Sequence, residues 1–215
     1  MIVAATGRNA LLTSSMSLYR EIVREESIDC EWSDQGLLLV YKSGKAFERY
    51  VETAELLKRE FEIDAVAYPG EAVKELEPAL KSGMAGGWHF PADAHVRPDK
   101  LLAGFKRVIE KRGGEIREGA EVLALRREGN LVAAVETSRG SLAADLIVLA
   151  TGAEAPKFAR VIGCRLPIQP GKGYSLTMQR LENQPRIPMI FEEHHVAVTP
   201  MELGFRVGST MEFTG

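Results

Sequence analysis

Cysteine is scarce in this chain: 215 residues contain only Cys30 and Cys164, far apart and with no C-x-x-C pairing. That excludes a disulfide framework and suits two unpaired thiols in a reducing, cytoplasmic setting. Positive charge is not in excess either. Lys and Arg number 27 against 30 Asp and Glu, for a net charge of -3. A general nucleic-acid binder is thereby disfavoured, because polyanions are held by clustered cations that neutralise phosphates. The densest basic stretches, "KRVIEKR" at 106–112 and "LRRE" at 125–128, are interleaved with apolar residues and acids and read as solvated faces. No apolar run reaches the 18 residues of a membrane span, and no charged-then-apolar leader is visible. Peripheral contact with a membrane, or with a quinone in it, stays open.

Several site signatures are missing as well. "PGKGYS" at 170–175 fails the phosphate-binding G-x-x-x-x-G-K-[ST] pattern, with Leu166 where the first glycine belongs and Gly173 where a hydroxyl should meet magnesium. The four histidines, His89, His95, His194 and His195, form no H-x-x-x-H or H-E-x-x-H pair, and the adjacent two would point to opposite faces of a strand. There is no G-x-S-x-G elbow. A G-x-G-x-x-G dinucleotide fingerprint is also lacking, since "ATGRNA" at 5–10 has one glycine and no βαβ unit around it.

What is present is a 45% hydrophobic chain with helical and strand periodicities in sequence, enough for one large core or two small domains. Leu11, Leu12, Leu18, Tyr19, Ile22 and Val23 recur at helical spacing over Arg8–Glu26. "EWSDQGLLLVY" at 31–41 reads as a hairpin, and Phe47, Tyr50, Val51, Ala54 and Leu57 stripe a second helix over 44–60. Pro69 and Gly70 precede a short helix that Pro78 stops. Gly86, Gly87 and Pro91 predict an irregular excursion. Pro98 then opens a helix whose buried face is Leu101, Leu102, Phe105, Val108 and Ile109, and Gly113 and Gly114 close it. Four extended runs follow, the last of them, Leu146–Ala150, apolar on both faces as in the interior of a parallel sheet. From Leu166 onward, short strands and turns predict mainly antiparallel sheet. The bend after that fourth run, Ala150 to Ala153, is either a cofactor-approaching turn or a plain strand-to-helix turn with no ligand.

Five motifs in order, "DAHVRPDKL", "RGGEIREGAEVLAL", "ADLIVLATGAEAP", "PIQPGKGYSLT" and "RVGSTMEFTG", resemble the FAD-dependent amino-acid oxidoreductases. The similarity is to D-amino-acid dehydrogenases first, with glycine oxidase and sarcosine oxidase as relatives, and it spans nearly the whole chain. It implies an α/β fold in which a partial, Rossmann-like FAD-binding domain is interleaved with an antiparallel-sheet substrate domain. The implied division is 1–93 and 165–215 for the substrate domain and 94–164 for the FAD-binding part. By the same resemblance, the glycine fingerprint would precede Met1, and the arginine gripping the substrate carboxylate would follow Gly215. The chain would then be a piece of an enzyme, inactive alone; the alternative is a non-catalytic binding or assembly module completed by another chain, and the apolar Leu146–Ala150 run without its neighbouring strands would favour self-association.

The resemblance also implies roles. Val122 would meet the adenine of FAD through its backbone. Ala150, Thr151, Gly152 and Ala153 would pass the pyrophosphate and ribityl region, with Gly152, lacking a Cβ, allowing close approach. Lys172 and Gly173 would lie near the cofactor, with a solvated lysine as the alternative. His195 and Met211 would border an amino-acid substrate, although Met211 reads equally as core. Ala197 stands where glycine oxidase has an aromatic residue, and Arg97 stands where relatives often have a helix-capping Asp.

Overall fold

The computed structural model describes residues 2 to 213. In chain order the elements are α1 (Ile2–Glu25), β1 (Leu37–Tyr41), α2 (Gly44–Phe61), β2 (Val66–Pro69), α3 (Val73–Leu76), β3 (Gly86–Phe90) and α4 (Pro98–Lys111). There follow β4 (Val122–Glu128), β5 (Leu131–Thr137), β6 (Gly140–Ala143), α5 (Ala159–Ile162), β7 (Lys172–Gln179), β8 (Met189–Phe191), β9 (Val196–Met201) and β10 (Gly204–Glu212). Two compact units form: Met1–Gly113 with Gly173–Thr210, and Gly114–Lys172 with Met211–Gly215. The mixed α/β class expected from the sequence is what the chain adopts.

The larger unit is built on a seven-stranded sheet in the order β2-β3-β1-β8-β9-β10-β7. β2–β3, β3–β1, β8–β9 and β9–β10 are antiparallel, whereas β1 and β8 run parallel, Leu38 facing Met189 and Val40 facing Phe191. Strand β1 has only apolar and aromatic side chains, "LLLVY", and lies in the sheet interior between β3 and β8. Its alternate side chains feed two cores. Leu38 and Val40 pack with Val73, Leu80, Ile187 and Met189, while Leu39 and Tyr41 pack with Ala54 and Trp88 beneath α2. Each such side chain withdrawn from water contributes about 1.5–3 kcal/mol. Helix α2 begins at Ser43, whose hydroxyl accepts from Ala46 N–H, and the Glu193 carboxylate accepts from the N–H groups of Lys42 and Ser43.

Among the described residues of this unit, one polar side chain is fully buried. Glu77 Oε2 accepts from the N–H of Arg186 (2.7 Å) and Ile187 (2.9 Å), and its Oε1 accepts from Ala79 N–H (3.0 Å). Arg186 and Ile187 lead into β8, so one carboxylate fastens the loop after α3 to the strand that pairs with β1. A buried acceptor with three donors is a satisfied one.

Several expectations are corrected. The hairpin over 31–41 does not form. Ser33 instead bridges to His95, Gly36 N–H donates to Asp93 C=O, and β1 takes distant partners, because "LLLVY" gains more from burial on both faces than from a local turn. The glycines at 86 and 87 begin strand β3, not an irregular excursion; a Cβ at Gly87 would collide with Leu38 and Val73, so glycine here serves close packing. Helix α1 begins at Ile2, and its apolar stripe stays largely exposed, Leu11 and Leu12 included, since only its last turn reaches a core through Val23. Helix α4 lies in the larger unit, where Leu101 closes on Ile28 and Cys30 and Gly104 admits the Ile28 side chain where any Cβ would clash.

Arg97 precedes Pro98 at the start of α4 and caps nothing with its side chain; it donates instead to Asp99 and Glu31. Glu31 also receives Lys100 (3.1 Å) and Glu202 N–H (2.8 Å). Burial pushes the Glu31 carboxyl up, but the Glu202 N–H and the Lys100 and Arg97 side chains outweigh it and hold it below the usual carboxylate range. Glu193 is likewise held low, the N–H groups of Ser43 and Lys42 outweighing burial.

Glu77→Ala strands buried N–H groups and is expected to reduce stability by about 3 kcal/mol, read as a lower urea midpoint, with Glu77→Gln recovering part of it. The depressed carboxyls Glu31 and Glu193 contribute stability that is full above their unfolded value of about 4.3 and lost as pH falls through their folded values. The urea midpoint of the wild type should therefore drop below about pH 4, and the drop should be shallower in Glu31→Gln.

Candidate functional site

The smaller unit carries a three-stranded antiparallel sheet, β4-β5-β6, in place of the four extended runs expected. The fourth run, Leu146–Ala150, is not a strand and pairs with no strand among the described residues; Leu146 is 81% and Val148 78% exposed. An apolar-on-both-faces segment needs neighbours on both sides, and among the described residues none is supplied. After it comes the bend. Thr151 sits at φ -87°, ψ 12°, Gly152 takes φ +52°, and a 3-10 helix over Gly152–Phe158 leads into α5, which Gly163 ends in the left-handed conformation. Glu154 N–H donates to Thr151 C=O across the bend (3.0 Å). No heavy atom lies within 4 Å of a Cβ built on Gly152, so its need for glycine is conformational and the space beside it is open.

Between β4 and this bend lies a cleft of about 920 Å³. One wall is the β4 stretch Glu121 to Leu125 with Arg127; the other is Thr151 with Glu154, Lys157, Phe158, Arg160 and Val161. A register shift between Val122 and Ala124 leaves Leu123 outside the regular β4–β5 pairing, and Leu123 is exposed. Arg127 donates to the carbonyls of Val161 (3.2 Å) and Gly129 (3.1 Å), which ties the two walls, and Lys157 pairs with Glu154. The Glu154 carboxylate beside it raises the Lys157 ammonium above its ordinary value. The lining is therefore apolar (Leu123, Phe158, Val161), with three cations and two acids at its margins.

A family model described as DAO, FAD dependent oxidoreductase, matches residues 4–215. The chain belongs to that FAD-dependent oxidoreductase family. A D-amino acid dehydrogenase of Paramagnetospirillum magneticum is 31% identical over 201 residues, covering 91% of this chain and 47% of that protein. One of Methylobacterium nodulans is 31% identical over 211 residues, covering 94% and 49%. Among solved structures, glycine oxidase from Bacillus cereus shares the fold with a TM-score of 0.78 at 23% identity, over 97% of this chain and 56% of that one. The L-proline dehydrogenase of P. horikoshii does so at 0.76 and 21%, over 91% and 53%. The chain thus spans about half the length of the curated relatives it matches. The cofactor of the family is FAD.

Of the residues singled out in the sequence, Val122 and Thr151 line the same cleft, with Ala150, Gly152 and Ala153 in or beside the bend. Lys172 and Gly173 open strand β7, which is exposed along its length. His195 lies in the β8–β9 turn with φ +51°, not on a strand as expected; the chain must reverse there to pair β8 with β9. Met211 is exposed near the end of β10, in the smaller unit, and a Cβ on Gly171 would stand 3.3 Å from its Cε. His195 belongs to the larger unit. Sequence reasoning missed Leu123, Phe158, Arg127 and Arg160, whose shared cleft depends on a bulge and a 3-10 turn that no periodicity signals. Gly152→Val forces a β-branched residue into the left-handed region and should loosen the bend by about 1–2 kcal/mol, measured as faster hydrogen exchange at Glu154 N–H.

Proposed function

We propose that the chain is part of an enzyme that oxidises the Cα–N bond of an amino acid, a D-amino acid first, and that the cleft between β4 and the Thr151 bend receives the adenylate end of FAD. The observation that carries this reading is that Val122 and Thr151, chosen from separate motifs, line one cleft. The size is right for such a group. Its chemistry fits too: Leu123, Phe158 and Val161 offer apolar walls to an adenine ring, and Arg127, Lys157 and Arg160 offer positive charge to phosphates. The open space at Gly152 admits a backbone-close ligand.

When bound, FAD supplies the two-electron acceptor for the hydride leaving the substrate Cα. The contributions of this chain are binding and orientation. The bend and β4 would fix the nucleotide end, Lys172 and Gly173 would stand toward the cofactor at the head of β7, and the substrate sheet, with His195 and Met211 at its borders, would present the amino acid. No proton transfer is assigned to a side chain here.

A second reading is supported by the unpaired Leu146–Ala150 segment: the chain serves as an assembly module, and a strand from another polypeptide completes the sheet there. Self-association through the same segment belongs to this reading. None of the helices in the described residues is long and apolar enough to cross a membrane.

Titrating the 15N-labelled chain with ADP at millimolar concentration tests the first reading. Amide shifts are expected to cluster at 121–125 and 151–161, and Leu123→Glu, at an exposed position, should weaken binding about tenfold or more, or roughly 1.4 kcal/mol. Shifts elsewhere, or none, would remove the adenylate site.

A further inference from the structure

Helix α1 carries an apolar face that the larger unit does not cover. About 100° separates successive side chains of an α-helix, so Leu11, Leu12, Ser15, Leu18, Tyr19 and Ile22 fall within an arc of about 120°. Leu11, Leu12 and Leu18 are 74%, 62% and 61% exposed, and Tyr19 and Ile22 are exposed as well, so the arc faces water and not the core that Val23 joins. A contiguous apolar patch of this kind marks an interaction surface.

The spacing along that arc is a heptad. Arg8, Ser15 and Ile22 recur every seven residues, and Leu11, Leu18 and Glu25 follow each of them by three. Two copies laid side by side in the same direction would set Arg8 against Arg8 and Glu25 against Glu25, which is repulsive at both ends. Laid in opposite directions, about a two-fold axis between Ser15 and Leu18, the same residues become complementary. Arg8 meets the partner's Glu25, Leu11 meets the partner's Ile22, and Ser15 leaves room for the partner's Leu18, each contact occurring twice. The neighbouring charges Arg20 and Glu26 are engaged within the chain, by Asp34 and Arg112. A lipid surface is the other occupant such a face could take, but Glu25 lies in the stripe itself, whereas interfacial helices set Lys and Arg beside theirs.

We propose that α1 is a homodimerisation helix, through which two copies of this chain associate as an antiparallel pair over Arg8 to Glu25. The proposal depends on neither the flavin nor the amino-acid reading, and its surface is separate from Leu146–Ala150. One helix pair of about 27 Å is small beside a standard protein interface. The dimer therefore exchanges with monomer, and the Arg8–Glu25 pairs at its two ends fix direction and register.

Sedimentation equilibrium of the 215-residue chain tests this. The mean mass is expected to climb from one chain toward two as concentration rises through roughly 1–100 µM. Leu11→Glu and Leu18→Glu, both at exposed positions, should leave a folded monomer, with the amide signals of the α2 core in place. Arg8→Glu or Glu25→Arg alone should weaken association about tenfold or more, and the two together should restore it, which a folding defect would not do. In a Cys164→Ser background, Leu11→Cys chains mixed with Ile22→Cys chains should cross-link to each other in preference to themselves. A monomer throughout the range, a dimer indifferent to Leu11→Glu, no recovery in the charge swap, or self-cross-linking of Leu11→Cys would overturn the antiparallel pair. So would a dimer that Val148→Glu abolishes and Leu11→Glu spares, which moves the association to Leu146–Ala150. Monomer that binds vesicles of phosphatidylcholine and phosphatidylglycerol, and loses them in Leu11→Glu, would give the face to lipid instead.

Discussion

The junction between β1 and β8 holds the larger unit together. Two segments separated by most of the chain run parallel there, Leu38 beside Met189, and both cores of the sheet close around that seam. Parallel neighbours need a crossover, and this crossover contains Gly114–Lys172, the main part of the smaller unit. Glu77 makes the seam specific. Its carboxylate holds the N–H groups of Arg186 and Ile187 just ahead of β8, so β8 arrives in register without relying on hydrophobic contact alone. A one-residue slip would send Met189 to the α2 face and expose an apolar side chain for each one buried.

The legible parts of the fold were those with a strong local period or a punctuating residue. Helix α2 spans Gly44–Phe61 as its stripe predicts, α4 opens at Pro98, and the left-handed Gly113 follows its end. The errors came where distant partners decide. "LLLVY" and "GGWHF" are local neighbours of turn-forming residues, yet each takes its place from strands far along the chain. Leu146–Ala150 shows the converse: its composition is that of an interior strand, and in this chain it meets water.

The candidate site was legible in the same uneven way. Small residues after an apolar run mark a bend, and Thr151 and Val122 do border a cleft. The rest of its lining rests on tertiary accidents: Leu123 is released by a bulge, and Phe158 and Arg160 are presented by a short 3-10 to α-helical turn.

The same seam sets an order of events during synthesis. About 150 residues separate Leu38 from Met189, so the apolar residues of β1 must wait for that whole stretch to leave the ribosome before their partner strand exists. At typical elongation speeds that wait is on the order of ten seconds, long compared with hydrophobic collapse. Through it, a nascent chain displays "LLLVY" unpaired on one side, which makes the unfinished polypeptide a natural client for chaperones.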